Sequence, residues 1–507
     1  MSARIQRRQF LKWLGAGGAV AALNTASIAA AFAAAPEGSF APAIAANRDP
    51  VWLALSRFGF GVTPELYAEV RDIGPHAWLE QQLDYENIDD SALEARLEPY
   101  AEVIYENSFV VGERYRGMRG QVMRQFFGAW LLRSLYSRRQ LYERMVHFWS
   151  DHFSVYMAKD VVWLLKIDDD RDVIRPHALG RFREILGADA HSPAMLFYLD
   201  QIESNHTAPN ENYARELMEL HTLGVNGGYT EQDVKEVARA LTGWSINGRR
   251  EADRSGFRFR PRLHDDGEKI VLGQVIPAGG GVEDGEMVLD ILAQHPSTAQ
   301  FIATKLARRF VSDFPPQALI DQIAAAYTET DGDIRAMLRV IINSDHFWNA
   351  PPKFRRPYEY IASGLRALGY DYNRTPDQFV RLVNPVLEAL GHLPFMWPAP
   401  NGYPDVGAYW QSNFLMRWNV ALAIATGVGG RLRPNPEALI ALMEADGVPL
   451  ELEPVLGWLA RYLWGRDWTD EERDITLNFA QQAPEGGEQQ IAYGLALLMT
   501  APAYQYK

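Results

Sequence analysis

RGQVMRQFFGAWLLRSLYSRRQLYERMVHFWSDHFSVY, residues 119–156, is the stretch that sets the fold class. Val122, Phe126, Trp130, Leu131, Leu135, Leu141, Met145, Phe148 and Trp149 recur mostly at three- and four-residue steps. That is the period of a helix with one buried stripe. Ser137-Arg138-Arg139 divides the stretch into two predicted helices. The pattern repeats outward. Asp49-Pro50 opens a helix through Trp52, Leu55 and Phe58, and Thr63-Pro64-Glu65 caps the next, with Thr as N-cap and Pro at the first helical position. Asn210 to Leu223 reads as a helix ended by Gly224. Helices resume from 285 to 367 and again from about 414 to 498.

One segment breaks the pattern. Phe257-Arg258-Phe259-Arg260 alternates, and Lys269-Ile270-Val271-Leu272 reads as its return strand across the turn at His264-Asp265-Asp266-Gly267. The expected fold is therefore mainly α, a large multi-helical bundle-like protein with a small β-hairpin insertion. Residues 34–47 read as a linker, 48–420 as the helical core and 421–507 as a helical extension of the same unit.

The chain has 507 residues, 47% hydrophobic, which is ample for a large core. Its 64 acids outnumber its 50 bases, and no basic stripe offsets the charge of -14, so no nucleic acid is expected as a partner. Cysteine is absent, which excludes disulfides, thiolate metal sites and a Cys nucleophile. At the amino terminus, Arg7-Arg8-Gln9-Phe10-Leu11-Lys12 precedes a mildly apolar stretch to about Ala35. This is the pattern of a twin-arginine export signal over residues 1–33, with cleavage after Ala33. No later run of 18 apolar residues occurs, so no transmembrane segment is expected in the mature chain and its location is periplasmic or otherwise extracytoplasmic. The twin-arginine route carries folded proteins, many of them loaded with a cofactor, and so raises the expectation of a bound metal.

Several ordered motifs carry a resemblance. They include Arg57-Phe58-Gly59-Phe60-Gly61, His147-Phe148-Trp149 with His152-Phe153, Ile174-Arg175-Pro176-His177-Ala178-Leu179-Gly180 and His191-Ser192-Pro193. Asn210 to Gly224, Ala240-Leu241-Thr242-Gly243-Trp244, Lys305-Leu306 and Pro398 to Pro404 complete them. In this order the chain resembles the bacterial family known as domain of unknown function 1800, over roughly residues 50 to 500. The resemblance implies no agreed activity. It implies export, and it suggests an exported sulfatase-like protein as a partner.

Six of the eleven histidines lie between residues 147 and 221. Glu143, His147 and Asp151 are four apart and share a helix face, as Asn212, Glu216 and Glu219 do later. A metal site from His147, His152, Glu216 and His221 would suit zinc, iron or manganese. Glu216 would serve as general base or ligand, and His177 as a catalytic or outer-shell partner. The spacing is imperfect. His147 and His152 are about 140° apart round a helix, so one chelating face cannot use both. Three readings stay open: a metal-dependent hydrolytic or oxidative enzyme, a non-catalytic binding or assembly partner of the sulfatase-like protein, and histidines used only in polar structural networks with Arg175, Arg215 and Glu216. Asp168-Asp169-Asp170-Arg171-Asp172 reads as a solvated loop. Trp397, Tyr403, Tyr409 and Trp410 in the proline-rich loop 394–410 are placed to line a cleft or to pack that loop onto the body.

Overall fold

In the computed structural model, residues 25–247, 256–371, 376–427, 436–484 and 487–507 are described. The helices used below are α1 Pro50–Phe58, α2 Arg119–Tyr136, α3 Gln140–His152, α4 Phe182–Ala190 and α5 Glu211–Glu216. Then come α6 Glu231–Ala240, α7 Pro296–Phe310, α8 Pro357–Ala367, α9 Phe414–Thr426 and α10 Glu488–Thr500. The protein is mainly α, as its apolar period requires. No helix among the described residues is long and apolar enough to cross a membrane.

The first helix shows how sequence becomes packing. Asp49 accepts from the Val51 amide, Pro50 needs no donor partner, and the apolar stripe follows. Arg57 is then carried wholly into the core, where its guanidinium donates to the carbonyls of Phe310, Val311 and Pro351. Those carbonyls include the free end of α7, so Arg57 caps that helix and fixes its last turn. Phe58 stacks on Phe310 at 4.6 Å between ring centroids. The motif at 57–61 is in this sense a device that anchors α7. At the other end of the chain, Trp52 Nε1 donates to Leu463 O and the Asp49 amide to Gly465 O. Phe40 is buried against Trp464.

Two small antiparallel sheets replace the single expected hairpin. Trp244–Ile246 (β1) pairs with Phe257–Phe259 (β2), and Lys269–Val271 (β3) with Gln274–Ile276 (β4). The expected pairing of 257–260 with 269–272 is therefore corrected. Leu272 and Gly273 both have positive φ, the conformation of a tight two-residue hairpin turn, so the chain reverses there rather than at 264–267. His264 is instead buried, bonded to Thr242 O at 2.8 Å and to Asp284 Oδ2 at 3.0 Å.

The acid run 168–172 is also corrected. Asp168, Asp169 and Asp170 are buried, Asp168 at the end of the helix Val162–Asp168 and the other two in the π-helical turn Asp169–Ile174. Ser108 and Arg171 bind Asp168, Lys166 and Ser192 bind Asp169, and Arg175 and Trp130 bind Asp170. Arg175 also donates to Glu143, 3.0 Å away. A run of acids reads as a solvated loop only while its partners are unknown.

Candidate functional site

Helix α3 ends by presenting Phe148, Asp151 and His152 on its last turn. Helix α7 faces it. His295 caps α7 by accepting from the Ser297 amide, and Pro296 occupies its first position. Its buried stripe includes Ile302, Leu306 and Phe310. Phe301, Lys305 and Arg308, spaced four and three apart, form the adjacent face and turn toward α3. Residues 401–405 close a third side, and Leu220, in the π-helical turn Leu217–Thr222, closes the fourth. Between them lies a cleft of about 290 Å³ lined by Phe148, Asp151, His152, Lys305, Arg309 and Asp405 among others.

Gly402 sets how closely the loop approaches. Its φ is +70°, and a Cβ there would lie 1.8 Å from the Asp151 carbonyl oxygen, on backbone that cannot swing aside. Gly402→Ala is expected to destabilise the protein by about 1–3 kcal/mol from the backbone conformation alone. The clash would also lift the loop off α3. Thermal unfolding measures this, and an unchanged midpoint would contradict the close approach.

The wall chemistry centres on Lys305. Its Nζ lies 2.7 Å from His152 Nδ1. His152 Nε2 lies 3.0 Å from the His221 carbonyl, which can only accept. Nε2 therefore carries the ring proton, and Nδ1 offers its lone pair to Lys305. Burial, then the Lys305 charge, holds His152 well below the usual histidine range. Burial pushes Lys305 itself down to about 8, with Arg308 acting the same way and Asp151 and Asp405 opposing. The aromatic face of Phe301 lies 5.3 Å from Nζ.

The floor is Arg309. It is 1% exposed, and none of Nε, Nη1 and Nη2 has a hydrogen-bond acceptor among the described residues. Nη1 is 3.5 Å from Asp405 Oδ2 and 3.7 Å from Glu359 Oε1, near enough for attraction but not for a hydrogen bond. The cleft carboxylates are engaged elsewhere. Asp151 accepts from Arg356 at 2.6 Å, and Asp405 Oδ1 lies 3.3 Å from Lys353 Nζ. A cleft built this way can hold an anion and can move a proton between an amine and an imidazole.

The residues expected to share a metal are distributed differently. His152 lines the cleft, and His221 lies directly behind it, 6.1 Å away between ring centroids. Neither His221 ring nitrogen has a hydrogen-bond partner among the described residues, and burial lowers its pKa to about 3. His147 is elsewhere, packed between Trp130 and Tyr358 with its Nε2 3.1 Å from Ser134 Oγ. Glu216 is half-buried, raised by burial and by neighbouring Glu219. His177 is half-buried, lowered by burial, at the end of the short helix Arg175–His177. Among the described residues no three His, Asp or Glu side chains gather as a metal would need. Of the aromatic loop residues, Tyr403 lines the cleft and packs with Trp410 and Phe354 in a small buried cluster. Arg308, Arg309 and Asp405 were not singled out in the sequence, and Lys305 stood out only within the Lys305-Leu306 motif, with no role attached. The four-plus-three spacing of Phe301, Lys305 and Arg308 beside an apolar stripe is the signal that could have found three of the cleft's α7 residues.

Residues 4–23, outside the described residues, match the twin-arginine translocation pathway signal sequence, which marks the protein for export across a membrane. No curated protein and no solved structure matches the chain. Neither the export signal nor the cleft identifies a sulfatase-like partner. Residues 53–506 match the family described as "Protein of unknown function (DUF1800)", and with that span covered, the chain belongs to this family.

Proposed function

We propose that this exported protein captures a small anionic ligand in the cleft between α3 and α7, outside the cytoplasm. The observation that carries this reading is Arg309: a buried guanidinium at the cleft floor with three nitrogens lacking acceptors. A buried donor left unmade costs about 1–3 kcal/mol, more when charged, so a ligand that supplies acceptors gains that energy on binding. Burial and the neighbouring Arg356 and Arg144 lower Arg309 only to about 10, so it stays charged at neutral pH. Arg308 and Lys305 add positive charge on the wall.

A metal at His152 and His221 is the weaker reading. It would have to displace the bond from His152 Nδ1 to Lys305 or the one from Nε2 to the His221 carbonyl, and although Asp189 Oδ2 lies 4.0 Å from His221 Nδ1, no three such side chains gather as a metal would need among the described residues.

The test is calorimetric titration at low ionic strength with lactate, malate, phosphate and sulfate. At least one is expected to bind, and Arg309→Gln to weaken it by about 10- to 100-fold, the loss of charge-assisted hydrogen bonds. Arg308→Gln, at a more exposed position, serves where Arg309→Gln fails to fold. The sign of the pH dependence is fixed by Lys305. Below pH 8 its ammonium attracts the anion, and above pH 8 it is neutral, so affinity should fall as pH rises through about 8. Absence of binding by all four anions, or binding indifferent to both arginines, rejects the proposal.

A further inference from the structure

We propose that Lys305 is an imine-forming lysine and that the cleft's ligand is an oxo acid, a small molecule bearing both a carboxylate and an aldehyde or ketone. This rests on the anion-binding reading of the cleft and names the ligand class within it.

The protein supplies its own comparison. The lysines buried outright each sit against a carboxylate, Lys166 against Asp169 at 2.5 Å, Lys269 against Asp284 at 2.5 Å, Lys353 against Asp313 at 2.6 Å and Lys507 against Glu359 at 2.8 Å, whereas Lys305 is partly buried at a cleft wall. A carboxylate at that distance occupies the amine's donors, although burial and then Arg144 still hold Lys507 well below the usual lysine range. Lys305 has no carboxylate within ion-pair distance among the described residues. It faces the lone pair of a neutral imidazole across a cleft, on the inner turns of a 15-residue helix capped at both ends. Burial with a cation one turn away is the arrangement that frees a lysine to act as a nucleophile, and Arg308 lies one turn on. Asp151 and Asp405, which could have neutralised it, are drawn off by Arg356, Lys353 and Arg309.

The chemistry balances without any further reagent. With the ligand's carboxylate at Arg308 and Arg309, the neutral Lys305 Nζ attacks the carbonyl carbon. A C–N bond forms and the C=O π pair moves to oxygen. His152 Nδ1 takes one N–H proton and returns it to that oxygen, giving a carbinolamine. Because burial keeps His152 a weak base, it passes the proton on rather than holding it. The second N–H proton leaves by the same route as the C–O bond breaks, and water departs, leaving C=N.

The experiment uses the exported full chain at pH 8 with pyruvate, glyoxylate or 2-oxoglutarate and sodium cyanoborohydride, followed by intact mass and peptide mapping. At that pH about half of Lys305 is neutral, against under about 1% of an ordinary lysine. Reductive labelling at Lys305 is expected to exceed that of other lysines by on the order of 100-fold, and to vanish at this position in Lys305→Met. Calorimetry with lactate, which has no carbonyl, runs in parallel. Lactate binding with no preferred label at Lys305 overturns the imine but leaves the anion site standing. No label and no binding by lactate or by any oxo acid overturns both. Labelling spread evenly over surface lysines also overturns the imine.

Discussion

As pH falls from 6.5 to 5 the folded protein is expected to lose stability with a steepening slope, from about 1 to roughly 4 kcal/mol per pH unit. The cause is a set of histidines buried as neutral rings. His147, His152 and His392 are held well below the usual range by burial and by neighbouring cations, and His221 is brought to about 3. In the folded state none of these takes up a proton in this window. In the unfolded chain each does so below about 6.5. The unfolded state therefore binds more protons as pH falls, and stability that is full above 6.5 drains away below it. Asp189 works in the other direction. Burial and Asp169 raise it well above the ordinary carboxylate, so it keeps a proton that the unfolded chain has released. The net difference grows from about one proton at pH 6.5 to about three near pH 5, at about 1.4 kcal/mol per pH unit each. Urea titrations at pH 7.5, 6.5 and 5.5 measure this, and a midpoint that stays constant down to 5.5 would falsify it. His221→Leu removes a ring that makes no hydrogen bond, so it should lessen the slope by about one proton.

Glu359→Gln is expected to destabilise the protein by about 3–5 kcal/mol, because one buried carboxylate holds several buried cations. Its Oε1 lies 2.7 Å from Arg144 and 3.7 Å from both Arg309 and Arg356, and its Oε2 is 2.8 Å from Lys507. Burial opposes its charge, yet these cations hold it well below the usual carboxylate range. Glutamine preserves the shape and removes the charge, which leaves the guanidiniums repelling one another in a low-dielectric setting. The same side chain joins α3, α7, α8 and residue 507, so the loss spreads across the core. Chemical denaturation at pH 7.5 decides the matter: a loss below about 1 kcal/mol would show that water already screens the cluster. Lys507→Met should cost less, since its main chain still pairs with Lys353 through two hydrogen bonds.

Much of the architecture could be read from spacing. The α3 stripe, the cap at Asp49-Pro50 and the stop at Gly224 each depend on neighbours a few residues away, and local chemistry is what sequence displays directly. The export signal is legible for the same reason, being a linear pattern read as a linear pattern. The failures have two causes. The acids at 168–170 looked solvated because their partners Ser108, Trp130 and Ser192 are distant in the chain or carry no sign of pairing. The return strand was misassigned because the positive-φ turn uses Leu272, a residue that seldom marks one.

The candidate site divides along the same line. From the sequence alone came a mainly helical, exported, cysteine-free protein with histidines concentrated before residue 222, because period, composition and signal are properties of the string. Tertiary structure alone decided which groups meet. It put His152 against Lys305, 153 residues apart, while it enclosed His147 among aromatic rings five residues earlier on the same helix. Helix rotation separates those two histidines, and only the packing of α7 against α3 determines which of them faces a cleft and which is walled into the core.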